Sequence, residues 1–194
     1  MKKMSTGMVV LIAVLAIVVI IAVSLVGAYN GIAAARENVD TQQAAIQTQL
    51  QRRADLIPNL VNTVKGLAAQ EQSVIDSVTE ARAQLAGAQG KGMGELAAAN
   101  DNLTNALSRL LMVVENYPEI QSSQGYISLM DELSGTENRI AVARGDYNDA
   151  VKAYNRKIIT FPNRVVASIF GFEKAEYFTA PETAQSAPSV DFGA

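Results

Sequence analysis

The chain has 194 residues, a net charge of −3 and 49% hydrophobic residues, but only 6% aromatics and no Trp. It has neither Cys nor His, which excludes disulfides, thiolate or imidazole zinc sites, cysteine nucleophiles and every His-based triad. Taking Lys2 and Lys3 from the 16 basic residues leaves 14 against 19 acidic ones, a balance that argues against binding a phosphate backbone, so nucleic acid is not an expected partner.

Lys2 and Lys3 belong to a short basic N-terminus of residues 1–7. Residues 8–26 (MVVLIAVLAIVVIIAVSLV) form one uncharged apolar run. Nineteen residues at about 1.5 Å each give roughly 28 Å, close to the hydrocarbon thickness of a bilayer. The run is longer than the apolar part of a secretory signal, and Ser24-Leu-Val-Gly-Ala28 makes a poor cleavage site. Residues 8–28 therefore read as an uncleaved transmembrane anchor. Two lysines precede it and Arg36 alone follows closely, a bias that favours a cytoplasmic N-terminus and an extracytoplasmic domain.

Residues 32–88 keep a helical pattern. At 100° per residue, Ile46, Leu50, Ile57, Leu60, Val61, Val64, Leu67, Ala68, Ile75 and Val78 fall within one arc of about 120°. A face that wide suits a bundle. Pro58 interrupts the pattern at QLQRRADLIPNLVNTVKG (49–66); lacking an N–H, it is expected to kink this helix or to begin a new one. The glycine-rich residues 87–94 read as a reversal. A second helix is expected over residues 95–117, with Leu96, Leu103, Leu107, Leu110, Val114 and Tyr117 on one side. A third covers residues 119–160, through Met130, Leu133, Ile140, Tyr147, Val151, Tyr154 and Ile158. Phe161-Pro162 stops it. Asn163 can cap a short fourth helix ending near Gly171, and the aromatic segment 170–178 is expected to dock back on the bundle. Residues 179–194 read as a disordered tail.

Polar residues sit inside the apolar arcs: Arg53, Glu71 and Arg82 on the first helical stretch, and Glu137, Arg144, Asn148 and Asn155 on the third. A buried lone charge is costly, so these residues are expected to find partners, as a network fixing helix register or as an interface. If the second and third helices form one arm kinked at Pro118, Glu71 can pair with Arg144 and Arg82 with Glu137. If Asn116-Tyr117-Pro118 is a true reversal, those pairs cannot all form. Both arrangements are open at this level. Tyr147-Asn148 and Tyr154-Asn155 lie seven apart on one face; their simplest role is Tyr packing with Asn cross-linking helices. The pattern implies no catalytic residues, cofactor or metal, and an enzyme is not expected.

Taken together, these stretches resemble the LemA family of membrane-anchored bacterial proteins. The resemblance runs in collinear order through the span and Tyr29-Asn30, the 49–66 motif, Ala81-Arg82, Glu115-Asn-Tyr-Pro118, LSGTENRIAVA (133–143) with Arg144, the two Tyr-Asn pairs, and Phe161-Pro162 to Tyr177-Phe178. One departure is that Gln43-Ala-Ala-Ile46 lacks the aromatic usual before the motif. The resemblance implies an all-α fold: an N-terminal transmembrane helix, then an up-and-down antiparallel bundle of long helices over residues 29–178. It supplies no catalytic mechanism. One branch of the family is associated with magnetosome membrane formation, which implies a membrane-organising role. The expectation is a single-pass protein of the bacterial cell membrane. It would act as a structural or scaffolding component through self-association or a membrane-protein partner, or else as an accessory or sensor subunit binding a ligand or peptide in the bundle.

Overall fold

The computed structural model describes residues 6–67 and 71–179. Lys2 and Lys3, Ala68 and the expected tail beyond residue 179 lie outside the described residues. Within them the chain is helical: α1 (Thr6–Thr63), a 3₁₀ turn (Lys65–Leu67), α2 (Gln72–Gly87), α3 (Met93–Val114), α4 (Pro118–Gln121), α5 (Gln124–Ile159) and α6 (Asn163–Phe170). Two compact units divide it, Gln42–Asn148 with Glu176–Ala194 and Met1–Thr41 with Asp149–Ala175.

The larger unit is a four-helix bundle. Arg82 meets Ala54, so α2 runs back along α1. Asn100 meets Arg53, and Leu107 and Leu111 line one cavity with Leu60, so α3 runs parallel to α1. Arg52 pairs with Glu132 and Gln49 with Arg139, which makes α5 antiparallel to α1. The apolar stripes converge between them: Ile46, Leu50, Ile57 and Leu60 from α1, Ile75, Val78 and Leu85 from α2, Leu96, Leu103 and Leu110 from α3, Leu133 and Ile140 from α5. Fully burying such side chains stabilises by about 1.5–3 kcal/mol each, before the entropy of ordering the chain is set against it.

The continuous helix expected over residues 32–88 is two helices. α1 ends at Thr63, the 3₁₀ turn tightens its exit through Gly66, and α2 starts at Gln72. Periodicity does not register a reversal when both helices turn apolar faces to the same core. Pro58 does not begin a helix; α1 continues through it to Thr63. At Pro118 the reversal is the arrangement present. It occupies the first position of the one-turn α4, where a missing N–H costs nothing, and α5 returns antiparallel to α3. The glycine-rich reversal lies between α2 and α3, with Gly90 at φ +80°.

The smaller unit packs the last turns of α5 and α6 against the early part of α1. Its buried apolar side chains include Ile32 and Val39 of α1, Val151, Tyr154 and Ile158 of α5, and Val166 and Ala167 of α6. Lys157 Nζ reaches the Gly31 carbonyl at 2.7 Å, and a Cβ on Gly31 would lie 3.3 Å from that nitrogen, so glycine leaves room for the approach. The Tyr29 ring lies 4.9 Å from Phe170 and 5.6 Å from Phe172. α6 ends at Gly171, whose φ of +72° suits a residue without a side chain.

Candidate functional site

The densest polar cluster lies inside the bundle, around Arg53. Arg53 is 5% exposed and Asn100 only 1%. Nη1 donates to Asn100 Oδ1 at 2.7 Å and lies 2.8 Å from Glu137 Oε2, an ion pair without hydrogen-bond alignment. Arg144 approaches Asp101 at 3.9 Å and stacks 4.6 Å over the Phe178 ring. Burial pushes the Arg53 guanidinium below its ordinary pKa; Glu137 pulls it back, Arg144 pushes it further down and Asp101 opposes that. Arg53 Nε, Asn100 Nδ2 and Arg144 Nε and Nη2 are buried without hydrogen-bond partners. Beside Arg53 and Glu137 a cavity of about 240 Å³ runs between Leu60, Leu107, Leu111, Met130 and Leu133.

Two members of this cluster, Asn100 and Asp101, were not among the expected polar residues. Asn100 had left a signal. It interrupts the α3 stripe of Leu96, Leu103 and Leu107 at helical spacing, as a polar residue where a leucine would fit. Glu137 and Arg144 join Arg53, as members of one cluster, but the pairings Glu71 with Arg144 and Arg82 with Glu137 are not formed. Those pairings needed a kinked arm. Glu71 instead caps the start of α2 through its main chain, accepting the N–H groups of Val74 and Ile75.

Arg82 has a different task. Its Nε donates to the Ala54 carbonyl at 2.9 Å. In an uninterrupted helix that carbonyl would accept the N–H of the residue four places on, which here is Pro58. Proline has no such hydrogen, and Ala54 is 2% exposed, so water is a poor substitute. The guanidinium of α2 therefore fills the gap that the proline opens in α1.

The Tyr-Asn pairs each hold a stretch of irregular main chain. In the larger unit Tyr147 donates its hydroxyl to the Glu176 carbonyl, and Asn148 both donates to the Phe178 carbonyl and accepts the Phe178 N–H, at 3.0 and 2.9 Å. In the smaller unit Tyr154 donates to the Glu173 carbonyl, while Asn155 both donates to and accepts from Ala175, at 2.9 and 2.8 Å. The Asn side chains do not cross-link helices. A side-chain amide presents the same donor and acceptor as a peptide group, so each pairs with one residue's main chain as a neighbouring strand would.

In the smaller unit the first part of α1 turns its apolar side chains outward. Every large hydrophobic residue from Met8 to Val26 that the structure describes is more than a third exposed, and the apolar window is 0% buried. Ser24 donates its hydroxyl to the Ile20 carbonyl at 2.7 Å, so the hydroxyl of the run is satisfied within the helix. The helix is long and apolar enough to cross a membrane, which supports a membrane location. Among the described residues no three carboxylates gather to hold a metal ion.

A model of the LemA family matches residues 42–192, about the whole of the chain beyond the apolar run. The chain belongs to the LemA family. Its LemA region thus contains the whole four-helix bundle and both Tyr-Asn pairs. Among named relatives, magnetosome protein MamQ 2 of Paramagnetospirillum magneticum is 34% identical over 86% of this chain and 70% of its own length. Magnetosome protein MamQ of Magnetospirillum gryphiswaldense is 29% identical over 91% of this chain and 75% of its own. Protein LemA of Metamycoplasma hominis is 24% identical over 81% and 71%. A LemA-family bundle carried by an exposed apolar helix places this chain with the membrane-associated helical proteins.

Proposed function

We propose that this LemA-family chain is a non-enzymatic, single-pass protein of the bacterial cell membrane with a structural or scaffolding role. Residues 8–28 are its anchor, and the helices of residues 29–178 organise membrane or assembly through self-association or by recruiting a membrane-protein partner. The observation that carries this reading is where the inward polar side chains go. Arg82 serves a main-chain carbonyl, and Asn148 and Asn155 serve the main chain of Phe178 and Ala175. Groups committed to the chain's own backbone support an architectural role better than a catalytic one. The magnetosome relatives point the same way by analogy. Crosslinking in intact membranes followed by mass spectrometry tests it. Adducts between copies or with a membrane protein are the expected result; a chain that stays monomeric and uncrosslinked at membrane concentration refutes it. The orientation, with the N-terminus in the cytoplasm, is tested by a reporter fused after Ala194 and assayed on each side.

One observation favours a second reading, an accessory or sensor subunit. The cavity is lined by Arg53, and buried N–H groups on Arg53 and on Asn100 and Arg144 of the same cluster have no hydrogen-bond partner. These are donors, so the fitting ligand class carries carboxylate or amide oxygens. A rise in melting temperature with small carboxylates, abolished by Arg53→Met, would support this reading over the first.

A further inference from the structure

The α6 helix and the turn before it carry an apolar surface that the fold does not cover. Phe161 is 86% exposed, Ile169 67% and Val165 46%. At 100° per residue Val165 and Ile169 lie on one face of α6, Arg164 and Ser168 on the next, and the buried Val166 and Ala167 on the face packed inward. Three faces of different chemistry on an eight-residue helix match three surroundings: protein, water with headgroups, and an apolar phase.

What that apolar phase is follows from the neighbours. Phe161, Pro162 and Val165 share a cavity with Ile20, Ile21, Ser24, Leu25 and Ala28, one face of α1. These α1 residues cover roughly 12 Å of helix axis and lie mostly inside the apolar run. A side chain seated against Ile20 and Ile21 is therefore at a depth where α1 itself is surrounded by hydrocarbon. Just beyond the run, Tyr29 packs edge-on against Phe170 and at a tilt against Phe172, aromatic rings at the level where a membrane gives way to water. Arg164 extends from the flank of α6, placed to reach headgroup phosphates with its charged end.

We propose that α6 and the Phe161-Pro162 turn are a second membrane-contacting element, lying in the interface beside the span with Phe161, Val165 and Ile169 in the acyl region of one leaflet. The occupant of the uncovered face is lipid. The surface is continuous with the lipid-facing side of α1, and the single charge of α6, Arg164, lies off the apolar face, as on a helix lying in the interfacial plane. This proposal rests on α1 being a membrane span.

The chain has no Trp, so a single introduced one reports alone. Full-length Phe161→Trp is reconstituted in vesicles of phosphatidylcholine and phosphatidylglycerol at three to one, with and without bromine on the acyl chains. Ile12→Trp in mid-span and Val142→Trp on α5, exposed at 66%, are the references. Blue-shifted emission and a quenching loss comparable to that of Ile12→Trp are expected for Phe161→Trp, with Val142→Trp unquenched. Quenching of Phe161→Trp no greater than that of Val142→Trp, while Ile12→Trp is quenched, overturns the proposal and leaves the span intact. If Ile12→Trp is also unquenched, the span reading fails and takes the proposal with it. Blue-shifted emission that bromine does not touch means that protein covers the patch, which also overturns it. Should Phe161→Trp lose helical circular dichroism, Ile169→Trp gives the same readings.

Discussion

The contact between Arg82 and the Ala54 carbonyl can be isolated by a double-mutant cycle with Pro58. Arg82→Met keeps the apolar stem and removes the donor that reaches the carbonyl at 2.9 Å. A hydrogen bond from a charged group contributes about 1.5–3 kcal/mol, and a buried acceptor left without a partner loses most of that. Ala54 is 2% exposed, so Arg82→Met in the native background is expected to cost about 2 kcal/mol. Pro58→Ala restores the backbone N–H that can close the helical bond to the same carbonyl. In that background Arg82→Met is expected to cost about 1 kcal/mol or less, the remainder being packing of the stem. The coupling is then about 1–2 kcal/mol, and the cycle cancels the change in unfolded-state entropy that replacing a proline brings. Urea unfolding of the full chain in mild detergent, followed by far-ultraviolet circular dichroism, gives the four stabilities, with unchanged slopes as the condition for comparing them. Equal costs of Arg82→Met in both backgrounds, within about 0.3 kcal/mol, would refute the reasoning.

In the Arg53 cluster, Asn100→Ala is expected to cost about 2 kcal/mol by stripping a buried guanidinium of its hydrogen bond, while Glu137→Gln costs about 1 kcal/mol or less because that side chain is 43% exposed; the same unfolding measurement ranks the two. Asn155→Ala is expected to raise hydrogen exchange at the Ala175 amide about ten-fold, and Asn148→Ala to do so at the Phe178 amide, each read by mass spectrometry of peptides from that segment. Exchange unchanged in both would mean that the Asn clamps do not hold the main chain. Gly171→Ala meets no heavy atom within 4 Å, so its cost is the strain of a side chain at φ +72° alone, about 1 kcal/mol and a drop of roughly 2–4 °C in melting temperature.

Much of the fold was legible because long helices write their cores into the sequence at fixed spacing. Leu50, Ile57 and Leu60 were placed inward from periodicity alone and are buried, as are Leu103, Leu110 and Ile140. The reversal after Thr63 was not legible, because apolar spacing carries no direction and Lys65-Gly66-Leu67 is a weak break signal. Single residues of the polar cluster could be singled out, yet their partners could not, since partner choice depends on which helices are neighbours and in what sense they run. Asn100 shows the intermediate case, visible as an interruption of its stripe but not as the partner of Arg53. The targets of the Tyr-Asn pairs were the least accessible. Residues 173–178 have no periodicity, and main-chain groups look alike in every sequence.

Asn148 and Asn155 address only the peptide groups of Phe178 and Ala175, so neither clamp reads the identity of the residue that it holds. The clamps themselves exclude only proline at positions 175 and 178, since each must donate an N–H, while the Phe178 ring is held separately by its burial and by Arg144. The clamp residues are then under far tighter constraint than most of what they clamp. A related chain can replace Ala175 or Glu176 with new surface chemistry, and even reverse the charge there, while the segment keeps its path over the helices.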